Sequence, residues 1–259
     1  MNVVKAELPE SMKSMELHPL FDLHIGDHLS DGLLIQKTID HIRDTPNARC
    51  VLGGDLMDAA IAASVGDTYG ANLQPMQQLE VCVKLFAPIK DKILAIVPGN
   101  HENRIYKSDG IDITSIMAAQ LGLHGKYSPT STLLFVRLGE DKASGHHKRK
   151  VAYSVYLRHG SGGGKKEGGK INALADMANI VDADIYICGH SHLPSSFRSA
   201  FHRVSFSNSS VSCVDKLFVN AAACLNYGGY GETAGFKPAS KLNPVIYLDG
   251  TRKYANALV

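Results

Sequence analysis

Five short clusters in this chain carry side chains that bind metal ions: Asp22-Leu23-His24, Gly54-Asp55-Leu56-Met57-Asp58, Gly99-Asn100-His101-Glu102, His159-Gly160 and Gly189-His190-Ser191-His192. Each alone is short enough to arise by chance. Together they supply carboxylates, imidazoles and one amide oxygen in numbers that suit two adjacent divalent cations. A structural metal site rarely needs so many hard and borderline ligands. Asp22 and His24 stand two apart, so in an extended segment both project to one side. His190 and His192 repeat that spacing. Asp55 follows Gly53 and Gly54, which permit a tight turn and let its carboxylate be shared between two ions.

A pair of cations suits phosphoester hydrolysis. The attacking and leaving oxygens both carry negative charge in the transition state. Cations about 3.5–4 Å apart hold the phosphoryl oxygens and acidify a bridging water to hydroxide. A protonated histidine nearby then gives a proton to the leaving oxygen, a step worth about 10²–10⁴-fold in rate. His101, beside Asn100, is the candidate for that role.

The ordered set D-x-H, G-D-x-x-D, G-N-H-E, H and G-H-x-H resembles the calcineurin-like metallophosphoesterase superfamily across about residues 15–195. The resemblance implies that Asp22, His24, Asp55 and His192 hold a first metal. It implies a second metal held by Asn100, His159 and His190, with Asp55 as the bridge. The cofactors implied are two divalent ions, Mn²⁺ ahead of Fe or Zn²⁺. The implied fold is an α/β four-layer sandwich, two mixed β-sheets packed face to face and flanked by helices. Residues 1–259 are read as one domain, with the strands of 199–250 completing the second sheet.

Departures from the family pattern bear on substrate. The Ser/Thr protein phosphatases carry G-D-x-V-D-R-G, whereas Ala59-Ala60 follow Asp58 here and the phosphate-clamping Arg is absent. Pro98 also replaces the Arg of their R-G-N-H-E. Gly54-Asp55-Leu56-Met57-Asp58 is closer to the diesterase and DNA-repair nuclease branches, although those usually read G-N-H-D where this chain has Glu102. The expectation is a phosphodiesterase or nuclease acting on DNA, RNA or a nucleotide. The rivals are a phosphomonoesterase and a non-catalytic interaction module that kept the fold.

Around the ligands, Asp58 and Glu102 are candidates for supporting groups behind the metals. Asp58 is otherwise a helix-start carboxylate and Glu102 an exposed charge. Arg104 could bind a phosphate oxygen bidentately or lie solvated in a loop. Lys165 and Lys166, in the run Gly160 to Lys170, could form a cationic flap over substrate or an ordinary surface loop. The basic tract His146 to Lys150 reads as a solvated hairpin tip, and Tyr227 to Gly231 as a Gly-rich turn packing its tyrosines rather than a base-stacking platform. His18, His41, His124 and His202 stand alone and are read as packed or surface residues.

The elements that must position these residues follow from pattern. Strands are expected at Met15 to Phe21, Cys50 to Leu52, Ile93 to Val97, Thr132 to Leu138, Val151 to Arg158, Asp184 to Cys188, Leu217 to Ala222 and Val245 to Leu248. A helix N-capped by Ser30 should bury Leu33, Leu34, Thr38, Ile39 and Ile42, and one over Gln74 to Phe86 should bury Met76, Leu79, Val83 and Phe86. Further helices are expected at Ile113 to Leu121 and Ile171 to Ile180. Four of the five clusters follow directly on strands, and in open α/β sheets ligands gather beyond the carboxyl ends of strands.

With 259 residues, 44% of them hydrophobic, the chain can bury a sizeable core. A net charge of +2 is too small to indicate a polyanionic partner. Cys50, Cys82, Cys188, Cys213 and Cys224 are odd in number and widely spaced, which suits reduced core thiols. Lys5, Glu7 and Glu10 near the N-terminus interrupt any signal-like run, and no stretch is apolar enough to span a bilayer. The expected location is cytoplasmic.

Overall fold

Apolar alternation in the strands builds two sheets whose inner faces meet. In the computed structural model, which describes residues 1–61, 71–144, 149–162 and 164–259, the first sheet runs β11-β10-β2-β3-β4. Its members are β2 (Ser14–Leu20), β3 (Ala48–Leu52), β4 (Ile93–Ile96), β10 (Val245–Asp249) and β11 (Ala255–Leu258). The second runs β1-β5-β6-β7-β9-β8, from β1 (Asn2–Glu7), β5 (Ser131–Leu138), β6 (Val151–Arg158), β7 (Ile185–Cys188), β8 (Ser195–Ser205) and β9 (Ser210–Asn220). Met15, Leu17, Val51 and Leu94 of the first sheet pack against Leu134, Val136, Val155 and Ile187 of the second.

Helices cover the outer faces. α1 (Gly32–Asp44), α2 (Pro75–Phe86) and α4 (Ile113–Gln120) lay Ile39, Ile42, Leu79, Phe86 and Met117 on the first sheet. α5 (Glu167–Ala175) and the 3-10 turn after it set Leu174 and Met177 on Tyr156, Tyr186 and Phe218 of the second. The result is the expected four-layer α/β sandwich of two mixed sheets. No helix among the described residues is long and apolar enough to cross a membrane.

Several boundaries differ from the pattern reading. The N-cap of α1 is Asp31, whose carboxylate accepts the Leu34 N–H at 3.1 Å, while Ser30 turns its hydroxyl to the Leu23 carbonyl. That places Ile35, Ile39 and Ile42 inward and leaves Leu33 exposed. In α2, Met76 is likewise exposed and Gln78 is fully buried. β1 and α3 (Glu102–Asp109) escaped the pattern, and α5 starts at Glu167, so the Gly/Lys run is partly helical. The C-terminal strands divide between the sheets instead of completing one: β8 and β9 join the second, while in the first β10 pairs with β2 and β11 with β10. The five cysteines are free, but Cys213 is exposed and so is not a core thiol. His146, His147 and Lys148 of the basic tract, Gly163 and the Tyr230 side chain lie outside the described residues.

Strand direction carries the function. β2, β3 and β4 are parallel, as are β6, β7 and β9. Their carboxyl ends therefore deliver all five clusters to one edge of the sandwich. Leu17 is 0% exposed between the sheets, and Leu17→Ala should cost about 2–5 kcal/mol in urea unfolding. Leu33→Ala, on the exposed side of α1, should shift stability by less than about 0.5 kcal/mol.

Candidate dinuclear metal centre

The strand-end loops hold each other through backbone hydrogen bonds. Asp22 donates to the Gly54 carbonyl, His24 to Asp55 and Ile25 to Leu56, so the first two clusters run zipped together. Asp22, His24, Asp55, His190 and His192 all adopt left-handed backbone, with φ of 51°, 48°, 50°, 64° and 51°. That conformation is costly for residues with a Cβ and persists only where the surroundings impose it. The spacing predicts extended D-x-H and H-x-H segments; the loops instead turn at each donor, and while Asp22 and His24 still serve one group, His190 and His192 divide between two. Close approach explains two glycines. A Cβ on Gly54, at φ +89°, would meet the Gly99 backbone, and one on Gly99 would strike Asp55.

Two donor groups that share no residue result, Asp22-His24-His192 and Asp55-His159-His190, each with its donor atoms mutually within 4.8 Å; a third set, His24-Asp58-His101, meets the same distance and overlaps the first at His24. Asn100 joins the second, its Oδ1 lying 3.1 Å from His159 Nε2, which is also 3.1 Å from Asp55 Oδ2. The groups touch, because Asp22 Oδ2 accepts the His190 backbone N–H at 2.8 Å. His159 donates Nδ1–H to the Gly53 carbonyl at 2.8 Å, fixing the tautomer that leaves Nε2 facing Asp55. His190 donates Nε2–H to the Gly162 carbonyl at 2.9 Å, leaving Nδ1.

The donors fit divalent cations. Asp22 Oδ1 and His24 Nε2 are buried with no hydrogen-bond partner among the described residues. Such orphaned buried polar atoms are costly unless something binds them. Charge points the same way. Burial opposes ionisation of Asp55, yet its bond to His159 and the His159, His101 and His24 charges hold it well below the usual carboxylate range. Burial likewise opposes ionisation of Asp22, and His192 and His159 overcome it. His159, though burial disfavours its charge, is pushed up to about 9 by Asp55 and Asp22. His190 is lowered by burial and by His159.

His101 sits beside both groups. Its backbone N–H reaches Asp55 Oδ1 at 2.8 Å, and its ring lies edge-on to His24 with centroids 4.5 Å apart. Its Nδ1–H points to the Asp58 carbonyl at 2.8 Å and carboxylate at 3.1 Å. Asp58 therefore orients His101; its carboxylate stays 3.9 Å from His24 Nδ1. Burial lowers His101, but the Asp58 hydrogen bond and the Asp55 charge raise it above its ordinary value. Arg104, half-buried on α3, donates to His101 Nε2 at 2.9 Å and is not a solvated loop residue.

Glu102 is buried, and its role is structural. Its two oxygens accept the backbone N–H groups of Asp55, Leu56, Met57 and Gly99 at 3.0, 2.7, 3.1 and 2.8 Å. Burial and the Asp55 charge push its carboxyl upward, against those four donors that favour the ionised form. Lys165 and Lys166 are exposed, and the Lys165 ammonium lies 5.6 Å from the centroid of the Phe236 ring. Tyr227 donates to the Phe236 carbonyl at 3.0 Å but leaves its ring exposed, so it is not packed as the turn pattern suggests.

Three positioning residues escaped the sequence reading. Gln78 accepts the Ala59 N–H at 2.8 Å, Lys170 bonds the Ser191 carbonyl at 2.7 Å, and Asn220 bonds Ser191 Oγ at 2.6 Å. Only Gln78 left a signal, as a polar residue on the Cys82 side of an apolar helix face.

Comparison with known proteins agrees with this geometry. The calcineurin-like phosphoesterase family profile matches residues 22–194, and the chain belongs to that family. No curated protein sequence matches it. Among solved structures, Vps29 D62A from Entamoeba histolytica shares 14% identity over 95% of this chain and 93% of its own, at a TM-score of 0.44. The wild-type Vps29 complexed with Zn²⁺ from the same organism shares 12% over 94% and 90%, at 0.45. A metallophosphoesterase from Sphaerobacter thermophilus shares 14% over 91% and 84%, at 0.40.

Two predictions follow from Glu102 and His159. Glu102→Gln leaves buried N–H donors facing an amide NH₂ and should lower unfolding free energy by about 2 kcal/mol or more, read by urea titration. His159 has a folded pKa raised to about 9, so in metal-stripped protein its contribution is complete below the unfolded value of about 6.5. Stability should fall as pH rises through about 9. Loading divalent cations should flatten that decline, because a ligating His must be deprotonated.

Proposed function

We propose that this chain is a dinuclear metal-dependent phosphoesterase that favours phosphodiesters of the nucleic-acid or nucleotide class. The observation that carries the reading is the adjacency of two donor groups, Asp22-His24-His192 and Asp55-His159-His190, with His101 beside both. In this reading Asp22, His24, Asp55 and His192 hold one cation, and Asp55, Asn100, His159 and His190 the other. Bound there, two divalent ions supply Lewis acidity toward phosphoryl oxygens and an acidified water. The parallel strand pairs that enter both sheets, with β1 and β10 tying in the two ends of the sequence, support treating residues 1–259 as one working unit.

The chain's own residues do the rest. Asp58 fixes the His101 ring through Nδ1, so Nε2 faces Asp55 at 3.8 Å and the space between the donor groups. Arg104 donates to that Nε2 at 2.9 Å. A phosphate oxygen drawing Arg104 away frees Nε2 to carry the proton delivered to the leaving oxygen. Buried Ala59 and Ala60 stand where the protein phosphatases carry their clamping Arg, and Asn100 and His192 leave the rim partly open, which suits an ester with a substituent on each side.

His101→Ala should cut turnover about 10²–10⁴-fold while metal content per chain stays near wild type. Metal lost along with activity would mean that His101 is a ligand. With added Mn²⁺, bis-p-nitrophenyl phosphate should turn over faster than p-nitrophenyl phosphate. The reverse order makes the enzyme a phosphomonoesterase, and inactivity on both with metal bound removes the hydrolase reading.

A further inference from the structure

The outer face of β2 carries another set of donor side chains, apart from the strand-end loops. Glu16 and His18 alternate with Met15 and Leu17, so the first pair leaves the inter-sheet core while the second fills it. His41, in the last turn of α1, reaches over to meet them. Glu16 Oε2 lies 3.0 Å from His41 Nε2 and 3.3 Å from His18 Nε2. The two imidazoles meet edge-on with centroids 5.2 Å apart. All three donor atoms fall within 4.8 Å of one another.

We propose that Glu16, His18 and His41 bind a further divalent transition-metal ion of the Zn²⁺ class. Two imidazoles and one carboxylate are the donor set of zinc sites that use three protein ligands and leave a position for water or another ligand. The backbone presets it. Two donors come from alternate positions of a central strand, paired on both sides by β3 and β10, and the third from a helix packed on the same sheet. His18 is 5% exposed and rigidly placed, whereas His41 is half-exposed and can close on an arriving ion.

An ion can also reach the site. A groove of about 430 Å³ opens between α1 and β10. Leu34 and Thr38 of α1, Tyr247 of β10 and Leu242 line it together with the three donors. Hydrogen bonding sets the charge of the carboxylate. Burial opposes the Glu16 charge, but hydrogen bonds from His41 and His18 hold it below the usual carboxylate range. Burial keeps His18 below its ordinary value despite Glu16. Both imidazoles donate Nε2–H to Glu16, so a cation held at those nitrogens would displace these protons or move them to Nδ1. This site stands whether or not the strand-end centre hydrolyses phosphoesters.

The test is metal content. Full-length protein stripped with chelator, reloaded with Zn²⁺ and dialysed should retain one more equivalent per chain than His41→Ala or Glu16→Gln treated identically. The same difference should persist in a His192→Ala background, which weakens only the strand-end centre. Co²⁺-loaded wild type should show a visible d–d absorption component that both variants lack. Far-UV circular dichroism of His41→Ala should match wild type, since that side chain is half in solvent. Equal metal content and equal Co²⁺ spectra in wild type and both variants overturn the site, reducing the triad to a hydrogen-bonded cluster.

Discussion

Four backbone N–H groups, on Asp55, Leu56, Met57 and Gly99, converge on the buried carboxylate of Glu102. Those donors belong to two loops that leave different strands and turn too sharply to pair in any ladder. A buried N–H without an acceptor costs about 1–3 kcal/mol, so the loops need an acceptor with two oxygens in that place. Glu102 supplies it from the first turn of α3, where the helix dipole also favours a negative charge. Once the carboxylate is seated, Asp55 and the Asn100-His101 pair cannot drift apart. The left-handed backbone at Asp22, His24, Asp55, His190 and His192, each costing about 1–3 kcal/mol, is tolerated because this clasp and the loop-to-loop hydrogen bonds impose it.

Electrostatics follows from the same crowding. Asp22 and Asp55 are buried with their charges close together, and only positive neighbours make that sustainable. The imidazolium proton of His159 serves that need in the protein alone. Divalent cations would serve the same need better, since they would also engage Asp22 Oδ1 and His24 Nε2, which have no hydrogen-bond partner among the described residues. Proton and metal would thus compete for one preformed cavity.

The strand-end donors were legible in the sequence because each sits in a short motif after an apolar run, and parallel strands bring such ends together. The four-layer fold was legible through the family resemblance of that motif order. What escaped has physical causes. Asp31 and Ser30 are both good N-caps, and only the pull of the Leu23 carbonyl on the Ser30 hydroxyl decides between them. The sequence leaves Glu102 open between a supporting acceptor and an exposed charge, because only the loop folded over it decides. The split of β8 to β11 between two sheets depends on long-range pairing that leaves no local mark. His18 and His41 looked solitary because their shared partner, Glu16, lies across a helix–strand contact from one of them.

β2 bears Asp22 at its end, and its two neighbours are β3, close in sequence, and β10, formed by Val245–Asp249. During ribosomal synthesis β2 therefore emerges long before the strand that closes its other edge. Until then its hydrogen-bonding groups on that side face water or a wrong partner, and loop-closure entropy must be met before the correct pairing rewards it. The nascent chain consequently carries an open sheet edge beside Asp22 for most of its elongation, a window in which that strand is exposed to wrong pairing with other chains.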